Sequence, residues 1–134
     1  MNSNDLFKPI EFAVRAHTGQ FRKGTSVPYI VHPLAVGRIL AEAGCAQEIV
    51  IAGFLHDTVE DTAVTLDEIQ AEFGERVAHL VAAVTESDRS APWKVRKQDT
   101  LDKLQAADDD VLVLALADKI DNMRSIPHYI GRDG

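Results

Sequence analysis

Apolar residues recur at intervals of three and four along nearly the whole chain, and no stretch alternates strictly enough to read as a strand. The pattern predicts an all-α fold. A first helix is expected over about 5–18, with Leu6, Ile10, Ala13, Val14 and His17 on one face and Gly19 ending it. Residues 20–29, rich in Gly, Ser, Thr and Pro, read as a loop with Arg22 and Lys23 near its start. A second helix is expected from about His32 to Ala43, with Pro33 tolerated in its first turn and Gly44 as its stop, and a third from about Ala46 to Glu60. Thr65 and Glu68 have the spacing of a capping box for a short fourth helix that Gly74 closes. A fifth helix over about 75–86 buries Val77, Leu80, Val81 and Val84. A polar break at 87–92 then leads into a sixth over 93–106. Asp108 to Asp110 offer N-cap residues for a last helix through Arg124. Its run from Val111 to Ala117 is apolar nearly all round, which predicts a central helix buried on every side.

With 134 residues, 46% hydrophobic and 26% charged, the chain is long enough for one domain with a single core. No repeat or low-complexity tract divides it. No apolar stretch reaches the ~20 residues that a membrane-spanning helix needs. The N-terminal residues carry no basic stretch leading into an apolar run, so no secretory signal is expected. Cys45 is the only cysteine, which excludes an internal disulfide, suits a reducing, cytoplasmic setting and reads as a packed thiol. The net charge of −7 argues against DNA or RNA as a partner. It leaves room for a small phosphorylated ligand, because a bound divalent metal and a few cations reverse the field within one pocket.

The candidate chemistry gathers at the end of the third helix. His56 and Asp57 follow a strongly apolar run, with Glu60 and Asp61 one turn on. Residues four apart share a helical face, so His56 lies over Glu60 and Asp57 over Asp61. Four ionisable groups leaving a core are costly unless paired or metal-bound. Two further positions set a ligand-type side chain at the edge of an apolar helix: His32, and Asp118 with Asn122 one turn later. Together His32, His56, Asp57 and Asp118 would form a mixed nitrogen and oxygen site suited to manganese, iron or zinc rather than calcium. Spacing alone leaves open whether they converge.

The ordered set of His32, His56-Asp57 and Asp118 resembles the HD superfamily of metal-dependent phosphohydrolases. The match extends over about residues 12–126, in the blocks 22–36, 54–62, 73–81 and 116–124. These blocks are similar to the hydrolase domain of the RelA/SpoT family and its small stand-alone relatives. The resemblance implies a single all-helical HD domain of six to seven helices over 1–134. It implies one divalent metal, Mn²⁺ before Fe²⁺ or Zn²⁺, held by His32, His56, Asp57 and Asp118. It further implies removal of the 3′-pyrophosphate from guanosine tetra- or pentaphosphate, (p)ppGpp, with Glu60 handling the proton and Asp61 orienting it. Arg22 and Lys23 match cations that face the base and phosphates, and Asn122 matches a substrate-contacting amide. Lys119 and Arg124 divide between phosphate contact and complementing the helix end. Lys94, Arg96 and Lys97 read as a solvated basic face, and His17, His79 and His128 as structural or surface histidines.

Three features depart from that family. The loop from Arg22 to Tyr29 is one residue longer than its usual spacing. The stretch from Ala91 to Gln98 is closer in character to small HD proteins. The sequence also ends soon after the Asp118 helix, where relatives carry further helices, so a truncated or naturally short form is expected, with an exposed apolar face that invites a homodimer. Two other functions compete with (p)ppGpp hydrolysis: an HD phosphohydrolase acting on another nucleotide or phosphate ester, and a non-catalytic nucleotide-binding or interaction module.

Overall fold

The computed structural model describes residues 6–85 and 90–133, with Leu104, Ala106 and residues 125–133 described through their backbone alone. Helices α1 (Phe7–Ala16), α2 (Val31–Glu42), α3 (Gln47–Leu55), α4 (Thr58–Asp61), α5 (Leu66–Phe73), α6 (Glu75–Val84), α7 (Trp93–Ala106) and α8 (Asp109–Asp133) follow one another in chain order. All seven expected helices are present. The eighth element, α4, is a single turn cut from the expected third helix. Among the described residues the only β pairing is a bridge between Phe21 and Pro28, which folds the 20–29 loop back on itself.

The central helix is α3. It packs against α1, α2, α6 and α8, and every residue from Ile49 to Leu55 is buried. Its crossing with α2 runs through two glycines. A Cβ on Gly53 would stand 3.2 Å from the Cα of Gly37, and one on Gly37 would strike the Phe54 ring at 2.2 Å. Lacking side chains, these residues let the backbones approach, and that approach brings His32 on α2 toward His56 at the end of α3.

Two expectations need correction. The third helix does not run unbroken to Glu60: it ends at Leu55, and His56 and Asp57 form a turn before α4. The turn stays close to helical, since the Asp61 amide still donates to the Asp57 carbonyl at 3.0 Å, so the sharing of a face between Asp57 and Asp61 survives. The last helix is also not buried all round. It runs beyond Arg124 to Asp133, and its main packing is on α2, α3 and α6. That side buries Val111, Leu114 and Ala117, whereas Leu112, Val113 and Leu116 are exposed, Leu116 at 57%.

Capping follows the sequence more closely. The Thr65 hydroxyl accepts the Glu68 amide at 3.2 Å, and Gly74, with φ of 99°, closes α5 in a conformation that favours glycine. Asp108 Oδ1 accepts the Val111 amide at 3.0 Å and so caps α8. Of the fifth helix's expected stripe, Val77, Leu80 and Val81 are buried and Val84 partly so. Part of the expected break at 87–92 and the His128 side chain lie outside the described residues. No helix among the described residues is long and apolar enough to cross a membrane.

Candidate metal centre

His32 enters the site from the first turn of α2, where its amide donates to the Tyr29 carbonyl at 3.0 Å. His56 enters from the C-terminal end of α3, and Asp57 from the residue that opens α4. Asp118 comes from the inner side of α8. One ligand atom from each of these four residues lies within 4.8 Å of the others. Both histidines are almost completely buried.

The outward nitrogens of both rings are already engaged. His56 Nδ1 lies 2.8 Å from the Gly53 carbonyl, and His32 Nδ1 lies 2.7 Å from Asp121 Oδ2. Each of these oxygens accepts a hydrogen bond, so a proton on Nδ1 is held there as a donor and Nε2 is turned toward the cluster. There His32 Nε2 is 2.7 Å from Asp118 Oδ1, and His56 Nε2 is 3.1 Å from the same oxygen and 3.0 Å from Asp57 Oδ2. With both rings neutral and protonated at Nδ1, two imidazole lone pairs would face two carboxylate oxygens, an arrangement that repels unless a cation or a ring proton lies among them. The donor set fits a divalent metal, and both histidines show the outward hydrogen bond that orients metal-binding imidazoles.

Protons can fill the same role. Burial alone would lower the His56 pKa, but the charge of Asp57 and hydrogen bonds with Asp118 and Asp57 outweigh it and raise the value well above 6.5. Burial pushes the Asp57 carboxyl up, and His56, together with the Tyr29 hydroxyl, brings it below the ordinary carboxylate range. Asp118 is likewise raised by burial and lowered further by hydrogen bonds from His32 and His56, the net direction being down.

A second acidic group adjoins the first. Carboxylate oxygens of Asp57, Glu60 and Asp61 lie within 4.8 Å of one another, which brings the expected acidic pair beside the cluster. The α4 turn that carries them is tied to the loop by Gln20, whose side-chain amide donates to the Asp61 carbonyl at 2.9 Å. Glu60, His56, Asp118 and Lys119 line a cleft of about 340 Å³, together with Asp99, Thr100 and Lys103 of α7 and Leu114 of α8.

The expected substrate contacts divide. Asn122 is adjacent, its amide donating to Asp118 Oδ1 at 3.4 Å. Arg22 is drawn against α8, donating to Asp121 Oδ2 and Asn122 Oδ1, each at 3.3 Å. Lys23 is exposed in the loop. Arg124 lines a separate hollow between α2 and α8, and the cleft takes Lys103 from α7 rather than Lys94, Arg96 or Lys97. His79 is exposed, whereas His17 is buried, with Nδ1 2.9 Å from Gln20 Oε1.

Two site residues were missed from the sequence. The Tyr29 hydroxyl donates to Asp57 Oδ2 at 2.5 Å, and burial together with the Asp57 charge raises its pKa far enough to keep it a donor. Asp121 bonds both His32 and Arg22. The available signal was position: Tyr29 precedes His32 by three residues, and Asp121 follows Asp118 by three, one helical turn on the same face.

A family model described as "HD domain" matches residues 10–132. The chain is 43% identical over 128 residues to a probable GTP pyrophosphokinase of Mycobacterium leprae, covering 93% of this chain and 16% of that protein. It is 41% identical over 128 residues to a guanosine-3′,5′-bis(diphosphate) 3′-pyrophosphohydrolase of Aquifex aeolicus, covering 93% and 18%. The chain therefore spans less than a fifth of these long relatives. It is 41% identical over 124 residues to the human guanosine-3′,5′-bis(diphosphate) 3′-pyrophosphohydrolase MESH1, covering 90% of this chain and 69% of that protein. Among solved structures, a metazoan orthologue of SpoT described as hydrolysing ppGpp superposes with a TM-score of 0.85 at 30% identity, over 95% of this chain and 72% of that one. A matched family model over most of the chain, a relative covered for two thirds of its length and a shared helical framework lead to one conclusion: the chain belongs to the HD domain family, together with the MESH1-type pyrophosphohydrolases.

Proposed function

We propose that this chain is a metal-dependent 3′-pyrophosphohydrolase of guanosine tetra- or pentaphosphate. The observation that carries the reading is the convergence of His32, His56, Asp57 and Asp118 beside the acidic pair, with His56, Asp118 and Glu60 lining a cleft that Lys103 and Lys119 also line. Relatives named for this reaction make it the first substrate to test. His32, His56, Asp57 and Asp118 would hold the cation, Mn²⁺ being favoured by the mixed imidazole and carboxylate set over a cation that prefers oxygen alone. When bound, it supplies Lewis-acid polarisation of a phosphoryl oxygen and a lowered pKa for water.

The remaining steps belong to the chain. Glu60 faces the cleft and accepts a proton from water as the water oxygen attacks the phosphorus joined to the ribose 3′ oxygen. The 3′ O–P bond breaks, pyrophosphate forms, and Glu60 returns the proton to the departing 3′ oxygen. Asp61 orients Glu60. Lys103 and Lys119 offer point charges to phosphates in the cleft, and Asn122 offers its amide to a ribose or phosphate oxygen.

A second reading, an HD phosphohydrolase of another nucleotide or phosphate ester, is favoured by one observation. Arg22, one of the two cations expected to face the base and phosphates, is held by Asp121 and Asn122. A hydrolysis screen over phosphorylated nucleotides with Mn²⁺ and product identification separates the two. The leading reading predicts pyrophosphate from ppGpp; orthophosphate from mononucleotides, with ppGpp left intact, would replace it with the second.

A further inference from the structure

The proposed reaction leaves a largely buried carboxylate beside the cluster without a task. Asp121 Oδ2 lies 2.7 Å from His32 Nδ1 and 3.3 Å from Arg22 Nη1, and its side chain is 13% exposed. A bare carboxylate in such a place would lose hydration without compensation, and the two donors restore it.

His32 gains more from this contact than charge balance. The ring has a carboxylate at each nitrogen, Asp121 at Nδ1 and Asp118 at Nε2, both at 2.7 Å. A neutral ring has one proton to give. If it sits on Nε2 it binds Asp118 and closes that ligand position; if it sits on Nδ1 the Nε2 lone pair is free for a cation. Asp121 favours the second arrangement. His56 receives the same orientation from a backbone carbonyl, that of Gly53, which no side-chain substitution removes. The orientation of His32 rests on a side chain.

We propose that Asp121 is a positioning residue of the metal centre: it holds the proton of His32 on Nδ1, turns Nε2 to the cation, and through Arg22 ties the 20–29 loop to α8. The inference rests on the metal-centre reading above. No part of it requires Asp121 to touch metal or substrate.

Mn²⁺ affinity measured from the electron paramagnetic resonance signal of the free ion tests it on the full chain, with the melting temperature of each metal-free variant recorded in parallel. Asp121→Ala is expected to weaken Mn²⁺ binding roughly 10- to 100-fold, the range for losing an outer partner of a ligating histidine. Asp121→Asn is expected to lose roughly threefold or more, but less than Asp121→Ala, because its amide oxygen still accepts from Nδ1 without the charge. That graded rescue, at a metal-free melting temperature near the parent's for the Asn variant, is not what a merely structural residue would give. Parent-like affinity in both variants overturns the inference while leaving the metal centre standing. Where Asp121→Ala does not fold, parity of Asp121→Asn with the parent has the same meaning. A parent that binds no Mn²⁺, or a His32→Ala variant that binds as well as the parent, overturns the metal-centre reading and this inference with it.

Discussion

His56 joins the two states open to the cluster. Its ring is buried, its Nδ1 is fixed by Gly53, and its Nε2 meets Asp57 and Asp118, so either a proton or a metal must separate the three. The raised His56 pKa means that its contribution to metal-free stability is complete below 6.5 and is lost as pH rises through the raised value. The lowered values of Asp57 and Asp118 act oppositely: their contribution is present above the ordinary carboxylate range and is lost as pH falls through the depressed values. With EDTA present, the melting temperature should therefore decline on the alkaline side of neutrality as well as in acid. With saturating Mn²⁺ the alkaline decline should vanish, because the neutral imidazole is the ligand form. Scanning calorimetry across pH checks both, and a metal-free melting temperature that climbs with alkalinity would contradict the assignment. The four ligand candidates were legible as residue types at the edges of apolar helices. Tyr29 and Asp121 were not, because a helical pattern shows which residues share a face but not which neighbour that face meets.

At the scale of elements, the α2–α3 crossing carries the site. Gly53→Ala would press a methyl group to 2.7 Å from Leu40 Cδ1 and 3.2 Å from the Gly37 backbone. The Leu40 side chain can turn aside; the backbone cannot. Overpacking of this kind costs about 1–3 kcal/mol. Chemical denaturation should show that loss together with weaker Mn²⁺ binding, since the helices that bear His32 and His56 are forced apart. Unchanged stability would remove the close crossing from the account. On α8 the sidedness makes a paired prediction. Leu114→Ala, fully buried, should cost about 2–5 kcal/mol, and Leu116→Ala, more than half exposed, at most about 0.5 kcal/mol. Equal losses would restore the expectation of a helix buried on all sides. The capping box of α5 and the end at Gly74 could be read from Thr65, Glu68 and Gly74 because caps are local. The burial of α8 could not: an all-round apolar run says that burial is affordable on any face, whereas neighbours decide which face receives it. α3, apolar from Ile49 to Leu55, took the centre instead.

For the whole molecule, three helices that share a core meet at the proposed cation site, so metal binding and folding should be linked. At a free Mn²⁺ concentration one hundred times the dissociation constant, binding to the native state alone adds about 2.7 kcal/mol. Asp118→Ala should abolish that increment, because it removes the oxygen that both histidines face. Equal stabilisation of parent and variant in a thermal melt would point to a different site. The central claim, that the histidine and aspartate cluster supports hydrolysis while Glu60 handles the proton, is tested most directly by ppGpp turnover measured together with Mn²⁺ occupancy. The comparison is between the parent, Asp57→Ala and Glu60→Ala. The account predicts pyrophosphate release by the parent, loss of both metal and turnover in Asp57→Ala, and retained metal with a rate lowered roughly 100-fold or more in Glu60→Ala. Parent-like turnover in either variant would contradict it.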